Sequence, residues 1–229
     1  MFYFILLLSL LLNIVYNYEL NPLKNEHIEP LFEKLIKYVN QNPGFGWKAG
    51  INSRFRNLKD TKKLFKNNIK IKDLGGKRIQ TISHRNVNMV IPHTFDARDH
   101  WVNCSTIKQI HDECCCRADW VSEKIYNVYA DQEDIQKEIL MNGPVIASIL
   151  VKVDFLVYKS GVYFPTPKSS NLGWINLRII GWGYEGKTPY WLCANSWSKE
   201  WGENGYVKVR RGVQAGYIES YVRAPIPKI

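Results

Sequence analysis

The densest group of reactive side chains is the stretch from Ile110 to Val121, which reads IHDECCCRADWV. Three consecutive cysteines lie there beside a histidine and several carboxylates. Thiolates are nucleophiles and metal ligands, so these residue types allow either a nucleophile site or a zinc site. Structural zinc sites usually separate their cysteine ligands, and adjacent cysteines rarely all reach one tetrahedral ion. The spacing therefore argues against zinc binding by the set His111, Cys114, Cys115 and Cys116.

Helical patterns occur both before and directly after this stretch. Glu26 to Asn40 places apolar residues at helical spacing, and a weaker helical pattern covers Leu58 to Phe65. Asn67 to Asn88 is polar and irregular, which predicts a linker. Asp131 is a suitable N-cap for a short helix that ends at Gly143.

The last hundred residues instead predict mostly β-strand. They contain four β-branched and aromatic runs that are separated by Gly and Pro turns. The runs read PVIASILV, INLRIIGWGY, PYWLCANSW and GYVKVRRG. The chain therefore indicates an α+β fold in which the sheet comes from the C-terminal half.

The charge of the chain is concentrated in one segment. The whole sequence of 229 residues carries a net charge of +10, and residues 19–90 hold 15 Lys/Arg against 6 Asp/Glu. These basic residues are scattered through helix-like patterns. We therefore interpret them as a solvated basic face or a contact with an acidic partner, and not as a nucleic-acid site.

The N-terminus carries an apolar run from Met1 to Leu12, which fits a signal peptide and is too short to span a bilayer. The usual positively charged start is missing, so an uncleaved anchor is the alternative. We predict cleavage between Tyr16 and Glu19 and no membrane attachment afterwards. Secretion permits disulfides, and the five cysteines leave at least one unpaired inside a monomer.

Several stretches resemble cathepsin B within the papain-like cysteine proteases. PYWLCANSWSKEWGENGYVKVRRG resembles the strands that carry the family's catalytic asparagine, and its Asn-Ser-Trp, Trp-Gly and Gly-Tyr spacing is specific. IPHTFDARDHWVNCSTIKQIHD resembles the mature N-terminus, while DIQKEILMNGPV and VDFLVYKSGVY resemble the interior. LIKYVNQNPGFGWKAG resembles the propeptide, with its Trp-x-Ala-Gly element at Trp47 to Gly50.

The resemblance implies four catalytic positions, of which one retains its family residue. The family uses a cysteine nucleophile, a histidine base, an asparagine that orients the histidine, and a glutamine that donates to the oxyanion. Trp120 matches the tryptophan after the nucleophile, which puts Asp119 at the nucleophile and Glu113 at the glutamine position. Ile175 falls at the histidine position in LGWINLRIIGWG, and Asn195 remains.

These replacements predict an inactive protein. A carboxylate is a weak nucleophile toward amides, isoleucine has no titratable group, and an ionised Glu113 accepts hydrogen bonds without donating any. Two other residues could in principle replace the lost groups: His111 as the base and Cys116 as the nucleophile. Both are disfavoured, because His111 lies on the nucleophile loop itself and no acid is apparent for the leaving amine beside Cys116. A glycosidase pair of Glu113 and Asp119 would need a sugar cleft that the sequence does not suggest.

The resemblance also implies an internal deletion. In the family the histidine and asparagine lie about 130–150 residues after the nucleophile. Here Ile175 and Asn195 follow Asp119 by 56 and 76 positions. Most of the helical left domain and the occluding loop are therefore expected to be missing. The family's disulfide partners for Cys104 and Cys116 would lie in that part.

The resulting interpretation is a truncated papain-like α+β fold with a helical propeptide, a remnant of the left domain and a β-rich right domain. The predicted division is residues 1–18 signal peptide, 19–90 propeptide, 91–125 N-terminal segment with the left-domain remnant, and 126–229 right domain. We predict a secreted, lysosomal or endosomal protein with no cofactor and no metal. The expected partner is an active cathepsin B-like protease bound by residues 19–90, or another protein that covers the exposed right-domain face.

Two alternatives to an inactive homologue stay open at this point. The chain can be the product of a truncated or mis-predicted gene for an active cathepsin B-like cysteine endopeptidase. A skipped exon would explain the deletion but would not explain Ile175 or Asp119. The other alternative is residual peptidase activity through unusual residues.

Overall fold

The computed structural model describes residues 28–55, 58–61, 79–110 and 122–227. The helices are α1 (Ile28–Asn40), α2 (Ala97–His100) and α3 (Gln132–Asn142). The strands are β1 (Trp47–Ala49), β2 (Thr81–Ile82), β3 (Phe95–Asp96), β4 (Ser122–Val128), β5 (Val145–Lys152), β6 (Tyr158–Tyr163), β7 (Asn171–Glu185), β8 (Thr188–Ala194), β9 (Tyr206–Arg210) and β10 (Val222–Pro227). Short 3-10 turns lie at Pro43–Phe45, Leu58–Thr61, Ser105–Lys108, Val153–Val157 and Ala215–Tyr217.

These strands form one ten-stranded sheet in the order β1-β6-β9-β8-β7-β5-β10-β4-β2, and β3 pairs with β7. Neighbouring strands are antiparallel, except for the parallel pairs β6–β9 and β2–β4. The 15-residue strand β7 lies at the centre, where it pairs with both β5 and β8. The α+β architecture predicted from the sequence is therefore present.

The strand and helix predictions for the C-terminal half are confirmed in detail. Alternate residues of β5 face the core, as expected for a strand with one buried face. The side chain of Asp131 accepts hydrogen bonds from the backbone N–H groups of Glu133 and Asp134, which caps α3 as predicted. The helix ends at Gly143, whose φ of 104° suits glycine.

The N-terminal helix belongs to the same core as the sheet. The described part of the predicted propeptide, residues 28–55, 58–61 and 79–90, is called the pro-region below. Its buried apolar residues join the cluster formed by the sheet. They are Phe32, Leu35, Val39, Trp47, Ala49, Phe55 and Leu58, each no more than 7% exposed. The pro-region is thus packed onto its own right domain.

Two predictions for the segment before the mature-like part need correction. Thr81 and Ile82 were expected to lie in an irregular linker, but they pair with Asn127 and Val128 of β4. A polar composition does not reveal a strand when the partner edge comes from a distant part of the chain. The predicted helix from Leu58 to Phe65 is one 3-10 turn over Leu58–Thr61 in the part that is described.

The predicted right domain begins inside a strand. β4 runs from Ser122 to Val128, so it crosses the boundary that was placed between residues 125 and 126. The strand pairs with β10 at the far end of the chain, which ties both sides of this boundary to one sheet. The division at this point stays a prediction.

The two cysteines that the structure describes are both free thiols. Cys104 is exposed and Cys193 is buried, so the disulfide that secretion would permit is not formed by either of them. Among the described residues, no helix has the length and apolar character needed to cross a membrane. The apolar run from Met1 to Leu12 lies outside the described residues.

Candidate functional site

Ile175, at the position predicted for the histidine, lies at the margin of the sheet core. It lies in β7 directly opposite Ile149 of β5. Its half-buried side chain packs against the main hydrophobic cluster. The strand therefore has a hydrocarbon side chain at the position predicted for the base.

Asn195 directly follows the last residue of β8, and its side chain is almost fully buried at 4% exposure. Its Oδ1 accepts a hydrogen bond of 2.8 Å from the backbone N–H of Ser196. Its Nδ2 has no hydrogen-bond partner among the described residues. A buried amide group without a partner is costly, because it has lost its hydrogen bonds to water.

The sheet places Asn195 and Ile175 at the same end of two neighbouring strands. The antiparallel register pairs Arg178 of β7 with Ala194 of β8, and both residues lie beyond that pair. The predicted histidine and asparagine positions therefore lie on the same side of this pair, and the first of them holds no polar group.

The segment just before the predicted nucleophile loop is linked to the surroundings of Asn195 by several contacts. Two backbone carbonyls, of Ile107 and Gln109, accept hydrogen bonds of 3.0 and 3.1 Å from Arg178. Ile110 lies so close to Gly205 that a Cβ at Gly205 would approach its Cγ2 to 2.5 Å. The Gly205 carbonyl in turn accepts from the backbone N–H of Asn195 at 2.9 Å.

The loop itself, residues 111–121, lies outside the described residues. It contains the predicted nucleophile position and the predicted oxyanion position. These positions and the substitutes weighed beside them stay predictions: Asp119, Glu113, His111, Cys114, Cys115 and Cys116. The structure also contains no group of three metal-ligating side chains in the part of the chain that it describes.

The two described cysteines differ in exposure and in the direction of their pKa shift. The hydrogen bond between the Cys104 sulfur and Thr106 Oγ1 lowers the pKa of this exposed thiol. Burial raises the pKa of the Cys193 thiol, whose sulfur lies 3.7 Å from the carbonyl oxygen of Trp191. Cys193 is therefore a small core residue in its protonated form.

Three tryptophans of the right domain are core residues. Trp182, Trp197 and Trp201 are each no more than 2% exposed. The Trp197 ring meets Phe55 of the pro-region edge to face, with 4.9 Å between centroids. The pro-region therefore reaches the wall beside Asn195.

An exposed aromatic cluster lies beside Ile175. Trp174 lies 5.4 Å from Tyr221 and 6.0 Å from Tyr217, measured between ring centroids. The three side chains are 39%, 45% and 53% exposed, in the same order. An exposed right-domain face is predicted where the left domain is missing. The aromatic cluster is a candidate for part of that face. Whether the protein associates through this cluster is a prediction.

Sequence reasoning missed two buried polar networks. Asp154 is fully buried and accepts hydrogen bonds from Tyr163 and Thr166. His84 of the pro-region contacts the buried Glu138 of α3. The signal for the first was one carboxylate inside the apolar run VKVDFLV, whereas nothing in the sequence connects the two residues of the second.

Because Asn195 Nδ2 has no partner among the described residues, Asn195→Ala should change the free energy of unfolding by less than about 1 kcal/mol. The lost hydrogen bond to Ser196 is offset by removal of the unpaired amide. Asn52→Ala is the matched control, because Asn52 is also buried and its Oδ1 also has no partner among the described residues. Its Nδ2, in contrast, donates to the carbonyls of Leu156 and Tyr158 at 2.6 and 3.2 Å, and both carbonyls would lose this donor. The control should lose about 2 kcal/mol. If urea unfolding shows equal losses of unfolding free energy for Asn195→Ala and Asn52→Ala, the Asn195 amide does not lack a partner.

Comparison with known proteins agrees with this geometry. The family model described as "Papain family cysteine protease" matches residues 111–226. A Cathepsin B-like cysteine proteinase from Schistosoma japonicum is 26% identical over 319 residues, covering 89% of this chain and 93% of that protein. Cathepsin B-like cysteine proteinase 4 from Caenorhabditis elegans is 46% identical over 104 residues, covering 45% of this chain and 31% of that protein.

The structural neighbours give the same fold. The proCathepsin B S9 structure from Trypanosoma congolense aligns with a TM-score of 0.72 and 21% identity, covering 86% of this chain and 98% of that one. This chain therefore belongs to the papain family of cysteine proteases, with a cathepsin B-like sequence and a truncated papain-like fold. The Schistosoma match is 319 residues long, which exceeds the 229 residues of this chain. The relative thus contains residues with no counterpart here.

Proposed function

We propose that this chain is a catalytically inactive cathepsin B-like homologue. The observation that supports the proposal is the side chain of Ile175, at the position predicted for the histidine, which packs against the hydrophobic cluster of the sheet. Papain-like cleavage needs a base there, since that base takes the proton of the thiol and returns it to the leaving amine. A hydrocarbon side chain does neither.

Further support comes from the residues around this position. The amide of Asn195 is buried without a partner among the described residues, as expected when its histidine has been replaced. Asp119 at the nucleophile position and Glu113 at the oxyanion position each add a carboxylate where the chemistry needs a thiol and a donor. Restoring one group would therefore leave the other positions defective.

The test is a peptidase assay of the purified full-length chain with fluorogenic dipeptide substrates. The same samples are treated with a thiol-directed active-site probe. We expect no turnover above a buffer control and no specific labelling. Turnover that the probe blocks would overturn the proposal and would favour residual activity through unusual residues.

A binding role through the pro-region is the second candidate. In this structure Phe55 contacts Trp197 and β1 pairs with β6, so the segment is already engaged by its own chain. An intramolecular contact acts at a high effective concentration. The intact chain should therefore be a poor inhibitor of an active cathepsin B-like protease, while a free peptide of residues 19–90 should inhibit it.

A titration of both forms against cathepsin B tests this role. The peptide should inhibit at micromolar concentration, and the intact chain should require at least tenfold more. If the peptide does not inhibit, the pro-region is not the binding element. A partner would then have to be sought at the aromatic cluster of Trp174, Tyr217 and Tyr221.

Delivery to the secretory pathway, and from there to the extracellular space or the lysosomal and endosomal lumen, belongs to the same proposal. Its support is the apolar run from Met1 to Leu12. The N-terminal sequence of the mature protein from expressing cells is the measurement. A start near residue 17–20 is expected, and a retained Met1 would contradict cleavage.

The product of a truncated or mis-predicted gene is the alternative explanation of the deletion. The longer Schistosoma alignment is compatible with both explanations. Sequencing of the transcript separates them. A transcript that encodes cysteine and histidine at positions 119 and 175 would replace the inactive homologue with an active cathepsin B-like cysteine endopeptidase.

A further inference from the structure

The sequence contains one Asn-x-Ser/Thr triplet, formed by Asn103, Cys104 and Ser105. In proteins that enter the secretory pathway, such a triplet marks an asparagine that can receive an N-linked oligosaccharide, provided that its middle residue is not proline. The triplet alone is a weak signal, because it is short and its middle residue is a cysteine. Its use therefore depends on where the three residues lie in the fold and on the state of the Cys104 thiol.

The triplet lies on an exposed connection between α2 and the 3-10 turn Ser105–Lys108. All residues from Val102 to Thr106 are exposed. The backbone N–H of Cys104 donates to the Trp101 carbonyl at 3.0 Å, which closes a turn with Val102 and Asn103 at its centre. Asparagine is a common turn residue, and such connections run over the protein surface. Asn103 is therefore on the outside of the molecule.

The middle residue of the triplet is not bonded to another part of the chain. Cys104 is an exposed free thiol, and its sulfur lies 3.3 Å from Thr106 Oγ1, two residues away. A disulfide at Cys104 would hold the centre of the triplet against a distant segment. Because this bond is not formed, a transferase can bind the three residues together, with Asn103 and Ser105 both exposed.

The contacts that hold this part of the chain on the sheet lie outside the triplet. Ile107 is 7% exposed and belongs to one small apolar cluster with Ile180 of β7. Arg178 of β7 donates to the Ile107 carbonyl at 3.0 Å and to the Gln109 carbonyl at 3.1 Å. A bulky group on Asn103 would therefore extend into solvent without displacing a core side chain.

We propose that Asn103 is an N-glycosylation site of this protein. The donor is a lipid-linked oligosaccharide diphosphate, and the reaction is a group transfer. Asn103 Nδ2 attacks the anomeric carbon of the sugar, so that a carbon–nitrogen bond forms while the bond from that carbon to the diphosphate oxygen breaks. The lipid diphosphate leaves with the electron pair, and one amide proton passes to a base of the transferase. The assignment rests on the secretory delivery proposed above and not on the loss of peptidase activity.

The test uses the full-length chain, produced with its own N-terminus in eukaryotic cells. On a denaturing gel the protein should run as a band shifted upward by one oligosaccharide, and an amidase that removes N-linked oligosaccharides should abolish the shift. This amidase converts the modified asparagine into aspartate, so mass spectrometry should find aspartate at position 103 after the digestion. An unshifted band, or an aspartate at any other asparagine position instead, would overturn the proposal.

A pair of variants tests whether the triplet is the recognised sequence. Ser105→Ala removes the hydroxyl of the triplet while Asn103 stays in place, so the shift should be lost completely. Thr106→Ala is the matched control, because Thr106 is also exposed, carries a hydroxyl and directly follows the triplet. This control should keep the shift. If the two variants behave alike, the triplet is not what the transferase recognises.

A third variant distinguishes failure of this proposal from failure of secretory delivery. Val90→Thr creates an Asn-Met-Thr triplet that begins at Asn88, at a position where Val90 is 92% exposed. This variant should carry two oligosaccharides, one at each triplet. If it carries one while the wild type carries none, the chain reaches the transferase but Asn103 is not modified. If neither protein carries one, secretory delivery is wrong together with the modification of Asn103.

Discussion

Trp47→Ala should lower the free energy of unfolding of the whole chain by about 3–5 kcal/mol, the usual cost of removing a large buried aromatic side chain. Trp47 is 4% exposed and lies between Tyr158 and Tyr163, at centroid distances of 6.1 and 5.3 Å. Its truncation leaves a cavity between β1 and β6 and removes the hydrogen bond to Phe164. The effect should appear in a single unfolding transition, because both sides of this cavity belong to one core.

Ile51→Ala is the control for this variant. Ile51 lies four residues further along the same segment but is 69% exposed, so its loss should cost less than about 0.5 kcal/mol. Both variants are measured by urea unfolding, followed by tryptophan fluorescence and by far-UV circular dichroism. If Trp47→Ala behaves like Ile51→Ala, the pro-region is not part of the structural core.

Asp154→Ala should destabilise the protein by about 3 kcal/mol or more, because it leaves buried donors without an acceptor. The carboxylate accepts 2.8 Å from the Tyr163 hydroxyl and 2.7 Å from both the backbone N–H and the hydroxyl of Thr166. Asp154→Asn keeps an oxygen for Thr166 and an amide for Tyr163. It should therefore cost less than half as much in urea unfolding, and a reversed order would contradict this description of the network.

The same carboxyl gives a pH dependence with a defined sign. Burial raises the pKa of Asp154, despite the hydrogen bonds from Thr166 and Tyr163 that favour its ionised form. A carboxyl with a raised folded pKa contributes stability while protonated, and this contribution is complete below the unfolded pKa of about 3.9. It is lost as the pH rises through the folded pKa. The wild type should therefore lose stability relative to Asp154→Asn as the pH rises from about 4.

This pH dependence is measured by urea unfolding of both proteins at a series of pH values. Asp99→Asn serves as the control, because Asp99 is an exposed carboxylate. The free energies of unfolding of the wild type and the control should differ by nearly the same amount at every pH. If the wild type and Asp154→Asn also differ by a constant amount, the pKa of Asp154 is not raised.

The parts of the fold that the sequence predicted are those specified by local signals. The helical spacing before Asn40, the cap at Asp131 and the alternation along β5 each depend on residues close in sequence. Pairing between distant segments lacks such a signal. Strand β2 was missed for this reason, and so was the contact between His84 and Glu138, which are separated by 54 positions.

The candidate site comes from the resemblance to the family and not from a physical pattern. The cysteine-rich stretch suggested a nucleophile or a metal site, whereas the resemblance directed attention to Asp119 and Ile175. The structure then adds two observations: Ile175 packs against the sheet core, and the Asn195 amide has no partner among the described residues. It also places Phe55 of the pro-region on the wall beside the site.

The central claim is that the chain lacks a working cleft, and not merely two catalytic side chains. The double variant Asp119→Cys with Ile175→His tests this most directly, in a fluorogenic dipeptide assay with a thiol-directed probe. Its second substitution puts an imidazole at the position predicted for the base, while the left half of the cleft that the proposal takes to be missing is not restored. The account predicts no turnover by the double variant. Turnover that the probe blocks would contradict it, because two substitutions would then have restored a peptidase.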